Sequence, residues 1–178
     1  FSSEYNLNLF KPFVQTFVFE SLNPWEYYFN NNLNLDSFPY HALMLYILTP
    51  FVYILDYISF ENNLFSNFIF KFPLFIADMI LYLIFLKLFP LKKNKIILFY
   101  FLNPIIIYSI YVHSQLDIIP TMFLMVSIYF LTIKRLTFSM LFFSFSLATK
   151  LHILIVLPLI VFYIYRNYNL KTSFFYFI

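Results

Sequence analysis

IILFYFLNPIIIYSIYVHSQLD, residues 96–117, is the stretch on which the fold turns. Residues 96–112 carry no formal charge, and Asn103-Pro104 interrupts them near the middle. Proline disfavours helix in the residue before it but fits the first turn of a new one, so the run predicts helix on both sides of a kink. HSQLD, residues 113–117, then sets four polar side chains within five positions. If the next helix begins at Leu116 or Asp117, Pro120 falls in its first turn and Asp117 at its N-terminus, where a carboxylate is favoured.

Outward from this stretch the chain alternates between apolar runs and basic breaks. LKKNK, residues 91–95, precedes it. A run over 118–133 ends at Lys134-Arg135, one over 136–149 stops at Lys150, and one over 151–165 stops at Arg166. On the N-terminal side lie a run over 70–89 that contains Asp78 and Lys87, a polar-aromatic connection over 56–69, and a run over 38–55 with Pro50 inside it. Residues 1–36 mix aromatic and charged residues and read as short interfacial helices, with Pro12 and Asn23-Pro24 as starts.

Composition agrees with this pattern. Apolar residues make up 62% and charged residues 11%, against about 25% charged in an ordinary soluble domain. Mean hydropathy is +0.80. The expectation is an all-α, polytopic membrane helix bundle over residues 37–178, with five to six apolar runs, preceded by the 1–36 segment. The runs of 14 to 16 residues give roughly 21 to 24 Å of helix, short of a full span, so broken or half-buried helices are expected among them. Basic loops face the cytoplasm by the positive-inside rule. This rule places 91–95, 134–135 and 166–171 on one side and brings His113, Gln115, Asp117 and Lys150 together on the other. The net charge of +3 is dispersed between apolar runs, which excludes the continuous cationic surface that nucleic acid requires.

There is no cysteine, hence no disulfide and no thiolate metal site. There is also no glycine, where average usage supplies about 12 in a chain of this length. Every turn and close helix contact must therefore be made without glycine's backbone freedom, and glycine-mediated packing between helices is absent. The chain starts at Phe1 rather than Met, which marks it as processed or as part of a longer protein. No HExxH, glycine-rich phosphate loop or serine elbow is present, so hydride transfer and soluble hydrolase chemistry have no support.

Each polar candidate has two readings. Asp117 either caps a helix or binds a ligand hydroxyl. His113 either faces water or donates to a phosphate. Lys150 either snorkels or supplies a positive charge to a phosphate, with His152 nearby. Asp78 sits deep in an apolar run and either supports a site or locks helices together through a tyrosine or backbone donor. Asn103 with Pro104 marks a kink packed against another helix.

FPYHALMLY (38–46), FPLFIADMILY (72–82), LNPIIIYSIYVHSQLDIIPTMFL (102–124) and SFSLATKLHILIVLPLI (144–160) follow one another in an order that resembles a known family. This is the GT-C fold glycosyltransferases that use polyprenyl-phosphate sugars, such as the dolichyl-phosphate glucosyl- and mannosyltransferases. His41 stands where such proteins carry a second proline, and Ser114 where they carry glycine.

The resemblance implies a membrane-bound enzyme that transfers a hexose from a polyprenyl-phosphate sugar to a lipid-linked glycan or similar acceptor. Its partners would be those two substrates and membrane lipids. Its location would be a multi-pass site in the endoplasmic reticulum or in a bacterial or archaeal plasma membrane. Lys150 and His113 would hold the donor phosphate, Asp117 and Gln115 would bind sugar or shape the pocket, and Asp78 and Asn103 would support the site within the membrane. Glu4 is the nearest stand-in for the family acid, whose expected position precedes Phe1. The resemblance implies no particular cofactor, and a divalent cation is compatible with the chemistry. The rival readings are a noncatalytic subunit of a membrane complex and a transporter fragment using Asp78, Asn103 and Lys150 as a polar path.

Overall fold

A computed structural model describes residues 6–20, 23–57 and 63–168. Regular structure in them is wholly helical. Helix α1 covers 6–20, with Pro12 in the first turn of its central segment, Lys11–Gln15, and wider π turns on either side. Helix α2, Pro24–Asn30, starts from Asn23, whose side-chain oxygen accepts from the Glu26 N–H at 3.3 Å while its amide reaches the Glu26 carboxylate. This reciprocal cap is the physical reason the chain turns at Asn23-Pro24. Phe10 and Phe13 of α1 and Tyr28 of α2 point inward, whereas Phe19 and Phe29 stay exposed. Phe13 stacks on Phe38 at 4.8 Å and meets Trp25 edge-on at 5.3 Å.

Helices α3, Ala42–Tyr57, and α4, Asn63–Leu88, follow. The connection expected over 56–69 is therefore helical from Asn63 onward. Lys11 docks α1 on α4 by donating to Ser66 Oγ at 2.6 Å, and burial pushes its ammonium pKa down. Helices α5, Pro90–Phe101, and α6, Pro104–Val112, form a pair bent by 51°. At the break, the Asn103 side chain accepts from the Ile105 N–H at 2.9 Å and Pro104 opens α6, so residue chemistry fixes the bend.

Helices α7, Ile118–Thr132, and α8, Leu136–Thr149, form a close antiparallel pair. Serines provide the approach that glycine would otherwise allow. Ser127 donates to the Ser139 carbonyl at 2.8 Å, and Ser146 donates to the Pro120 carbonyl at 2.7 Å. Helix α9, Leu151–Asn167, begins as a 3-10 turn and ends the described chain.

The core consists of two apolar clusters. The larger joins Phe13, Phe38, Leu48, Phe70, Leu116 and Ile119, drawn from α1 through to α7. The smaller joins α7, α8 and α9 through Leu124, Phe143, Ile160 and Ile164. Burial of such side chains contributes about 1.5–3 kcal/mol each before chain entropy is counted. The core accounts for part of the apolar composition, since Ile105 and Ile155 remain 76% and 81% exposed.

These helices correct the polytopic membrane expectation. Among the described residues one helix, Phe65–Leu88, is long and apolar enough to cross a membrane, and a second arises only if the bent α5–α6 pair counts as one span. The remaining apolar helices among the described residues have 10–17 residues. The 16-residue α3 is about 24 Å long, against a hydrocarbon core of about 30 Å. The alternation of apolar runs with basic breaks reflects helix ends in a packed bundle, not five or six crossings. All-α stands; the GT-C-like multi-pass architecture and the membrane locations attached to it do not.

Candidate functional site

The site forms where the segment between α6 and α7 meets the end of α8 and the segment before α3. The 113–117 segment is pinned by its own backbone. The His113 N–H donates to the Tyr108 carbonyl at 2.8 Å and the Gln115 N–H to the Ser109 carbonyl at 3.1 Å. Between them, Ser114 turns the chain at a φ of 60°. That left-handed conformation is costly for a residue with a Cβ and normally falls to glycine or asparagine.

Asp117 starts α7, yet its carboxylate makes no cap hydrogen bond. It turns instead to Lys150 at the end of α8, with Nζ to Oδ1 at 2.5 Å. Tyr40 closes the group. The neighbouring His41 N–H donates to the Thr149 carbonyl at 3.0 Å, which holds the segment before α3 against the end of α8. The Lys150 ammonium consequently lies 4.8 Å from the centre of the Tyr40 ring. Burial, followed by the charge of Asp117 and a hydrogen bond to it, pushes the Tyr40 phenol pKa far up.

His113, Ser114, Gln115, Asp117, Tyr40 and Phe10 line a cavity of about 220 Å³. A second cavity, of about 280 Å³, shares Gln115 and Asp117 and extends toward Leu81, Ile110 and Tyr100. The Gln115 side-chain oxygen accepts from Ser109 at 2.9 Å, leaving its amide protons available to the cavities. His113 lies parallel to the Tyr108 ring, 6.3 Å between centres. Ser114 is fully buried, and its hydroxyl has no hydrogen-bond partner among the described residues.

Asp78 belongs to a separate network. It is 3% exposed and accepts the phenols of Tyr100 at 2.6 Å and Tyr111 at 2.5 Å. Asn103 acts at the α5–α6 break and lines neither cavity. Glu4 lies outside the described residues. Thus His113, Gln115 and Asp117 share one cavity wall and Lys150 joins them through Asp117, while Asp78 and Asn103 shape the bent pair.

Reading from residue types missed two participants. Tyr40 was visible only as part of FPYH, and its position depends on a backbone bond to Thr149. Ser114 was visible as the small residue of HSQLD, but nothing in the string reveals an unpartnered hydroxyl.

The fold and site define an all-α bundle with a polar cavity at a junction of helix ends. No family model matches the chain, and neither a curated protein nor a solved structure matches it. The resemblance to polyprenyl-phosphate-sugar glycosyltransferases is therefore corrected. The short motifs that carried it recur here in a bundle without the set of spans that such an enzyme is built on. The enzyme assignment and the hexose-transfer reaction fall with it, and so do the membrane-subunit and transporter rivals. Among the described residues no three of His, Cys, Asp and Glu gather as a metal-binding group.

Proposed function

We propose that this chain is a binding module whose junction cavity takes a small, uncharged molecule able both to donate and to accept hydrogen bonds, such as an amide or a short diol. The orphaned Ser114 hydroxyl carries the reading. A buried hydroxyl without a partner costs about 1–3 kcal/mol, and here it adds to the cost of a left-handed serine. Both costs fall on a residue of the cavity wall, and a small opening of that wall would bring the closed-off hydroxyl to a ligand oxygen or N–H.

The charge balance supports an uncharged ligand. Asp117 and Lys150 neutralise each other, so a ligand of either sign would leave one of them unmatched or force the pair apart. Gln115 offers amide donors, Ser114 a group that works either way, and Phe10 and Tyr40 an aromatic wall. About 220 Å³ holds roughly seven waters at liquid density, which sets the ligand at a few heavy atoms.

The test is saturation-transfer NMR on the purified chain, with acetamide and propane-1,2-diol compared with acetate and ethylamine of similar size. The neutral probes should give transfer that Ser114→Ala weakens. Equal transfer to all four probes, or neutral-probe signals unchanged in Ser114→Ala, would dispose of the reading.

A further inference from the structure

The turn from α4 into α5 forms an open cleft, remote in chemistry from the junction site. It measures about 400 Å³, within the range of about 300–1,000 Å³ common for small-ligand pockets. Its walls are Phe85, Phe89, Ile96, Phe99 and Tyr100, and Lys92 and Lys95 stand beside them. Both lysines are exposed. Neither has a carboxylate partner among the described residues, where the recorded ion pair is Lys150–Asp117. Lys92 keeps its ammonium 5.9 Å from the centre of the Phe89 ring, so its charge stays at the edge of the aromatic wall.

We propose that this cleft binds a monocarboxylate with an extended apolar body, of the medium-chain fatty-acid type. The two halves of such a ligand match the two halves of the cleft. An alkyl chain removes the aromatic wall from water, at about 25 cal/mol for each Å² of apolar surface covered. The carboxylate meets two uncompensated ammonium groups from neighbouring turns, Lys92 on the opening 3-10 turn and Lys95 on the α-helical turn after it. A cation would be repelled by both lysines, and by Lys93 between them. A neutral alcohol of equal length would gain the wall but not the charge.

Calorimetric titration of the full chain with dodecanoate, dodecanol and dodecylamine, each below its micelle-forming concentration, tests this. Dodecanoate should bind one per chain, about two- to thirtyfold more tightly than dodecanol, as two exposed ion pairs allow. Dodecylamine should bind weakest. The K92Q/K95Q double variant should bring dodecanoate down to the affinity of dodecanol. Ile96→Trp, which fills the cleft, should weaken both ligands while leaving thermal unfolding in place. Equal affinity of the wild-type chain for dodecanoate and dodecanol overturns the proposal, and so does an unchanged K92Q/K95Q variant. Binding of many dodecanoates per chain overturns it too, because that marks general coating of apolar surface. Retention on phosphatidylglycerol vesicles without binding of monomeric dodecanoate likewise overturns it, by assigning the lysines to a lipid surface.

Discussion

Asp78 in α4 accepts the phenol of Tyr111 from α6 at 2.5 Å, and through its other oxygen that of Tyr100 from α5 at 2.6 Å. One buried carboxylate therefore holds both arms of the bent pair against the longest helix. Asn103 and Pro104 start the bend, and Asp78 fixes its angle in the bundle. Lys71, about two helix turns before Asp78, adds a bond to the Tyr111 carbonyl at 3.1 Å.

Removing the carboxylate should cost more than removing either phenol. Hydrogen bonds to charged groups contribute about 1.5–3 kcal/mol, so Asp78→Ala should lose about 3 kcal/mol or more in chemical denaturation. Tyr100→Phe should lose less, and Tyr111→Phe least, because Tyr111 is 36% exposed and water can replace its bond partner. If Asp78→Ala proves as stable as wild type, the carboxylate does not hold the two arms.

The raised tyrosines give stability a definite alkaline limit. Burial and a bond to Asp78 push the Tyr100 phenol up, and burial with Asp117 does the same to Tyr40. In the unfolded chain each phenol loses its proton near pH 10, whereas the folded chain retains it. The folded state then binds more protons, so stability is intact below about pH 10 and declines above it by at most about 1.4 kcal/mol per pH unit for each tyrosine. Tyrosinate absorbance and urea denaturation between about pH 9 and 11.5 measure this directly. Tyr100→Phe should flatten the decline, and a wild-type chain equally stable across that range would contradict it.

Helicity and its breaks were legible in the sequence because they depend on local chemistry. Asn23-Pro24 and Asn103-Pro104 each start a helix at the residue where a side-chain oxygen can cap it. The missing glycines showed that helix contacts must be made without glycine, but not that Ser127 and Ser146 would serve them. Crossing a membrane was the misreading, because hydropathy cannot distinguish a Phe70 buried in the core from one that faces lipid. In the site, HSQLD drew attention through residue type alone. That Asp117 turns from its own helix toward Lys150 depends on a contact across 33 positions, and that Tyr40 joins them depends on a bond from His41 to Thr149.

Ser114 should be a position where stability and binding oppose each other. Glycine removes the left-handed penalty and the orphaned hydroxyl together, so Ser114→Gly should raise unfolding stability by about 1–2 kcal/mol. The same variant should lose the neutral-ligand signal. A destabilised Ser114→Gly would mean that the hydroxyl already has a partner and that the turn carries no strain.

The α7–α8 contact should tolerate loss of side-chain volume better than gain. Ser146 is fully buried and donates to Pro120, so Ser146→Ala should cost about 1 kcal/mol for the lost bond. Ser146→Leu must force the helices apart and should cost at least about 3 kcal/mol, as overpacking in a filled core does. Thermal unfolding of the two variants checks the order, and a leucine variant as stable as the alanine one would show that the pair is loosely packed.

Asp117 and Lys150 should couple weakly to stability but strongly to the site. Their side chains are 38% and 23% exposed, and exposed pairs contribute about 0.2–1 kcal/mol. A double-mutant cycle of Asp117→Asn and Lys150→Met should therefore return a coupling near the upper end of that range. Tyr40 gives the cycle a second readout. Burial is the first cause of its raised pKa and Asp117 the next, so Asp117→Asn should bring the phenol only part of the way back toward its ordinary value. Lys150→Met should not lower it, because removing a cation never makes a nearby phenol easier to ionise. A Tyr40 titration that moves identically in both variants would mean that the carboxylate does not reach the phenol and that the junction is held by packing alone.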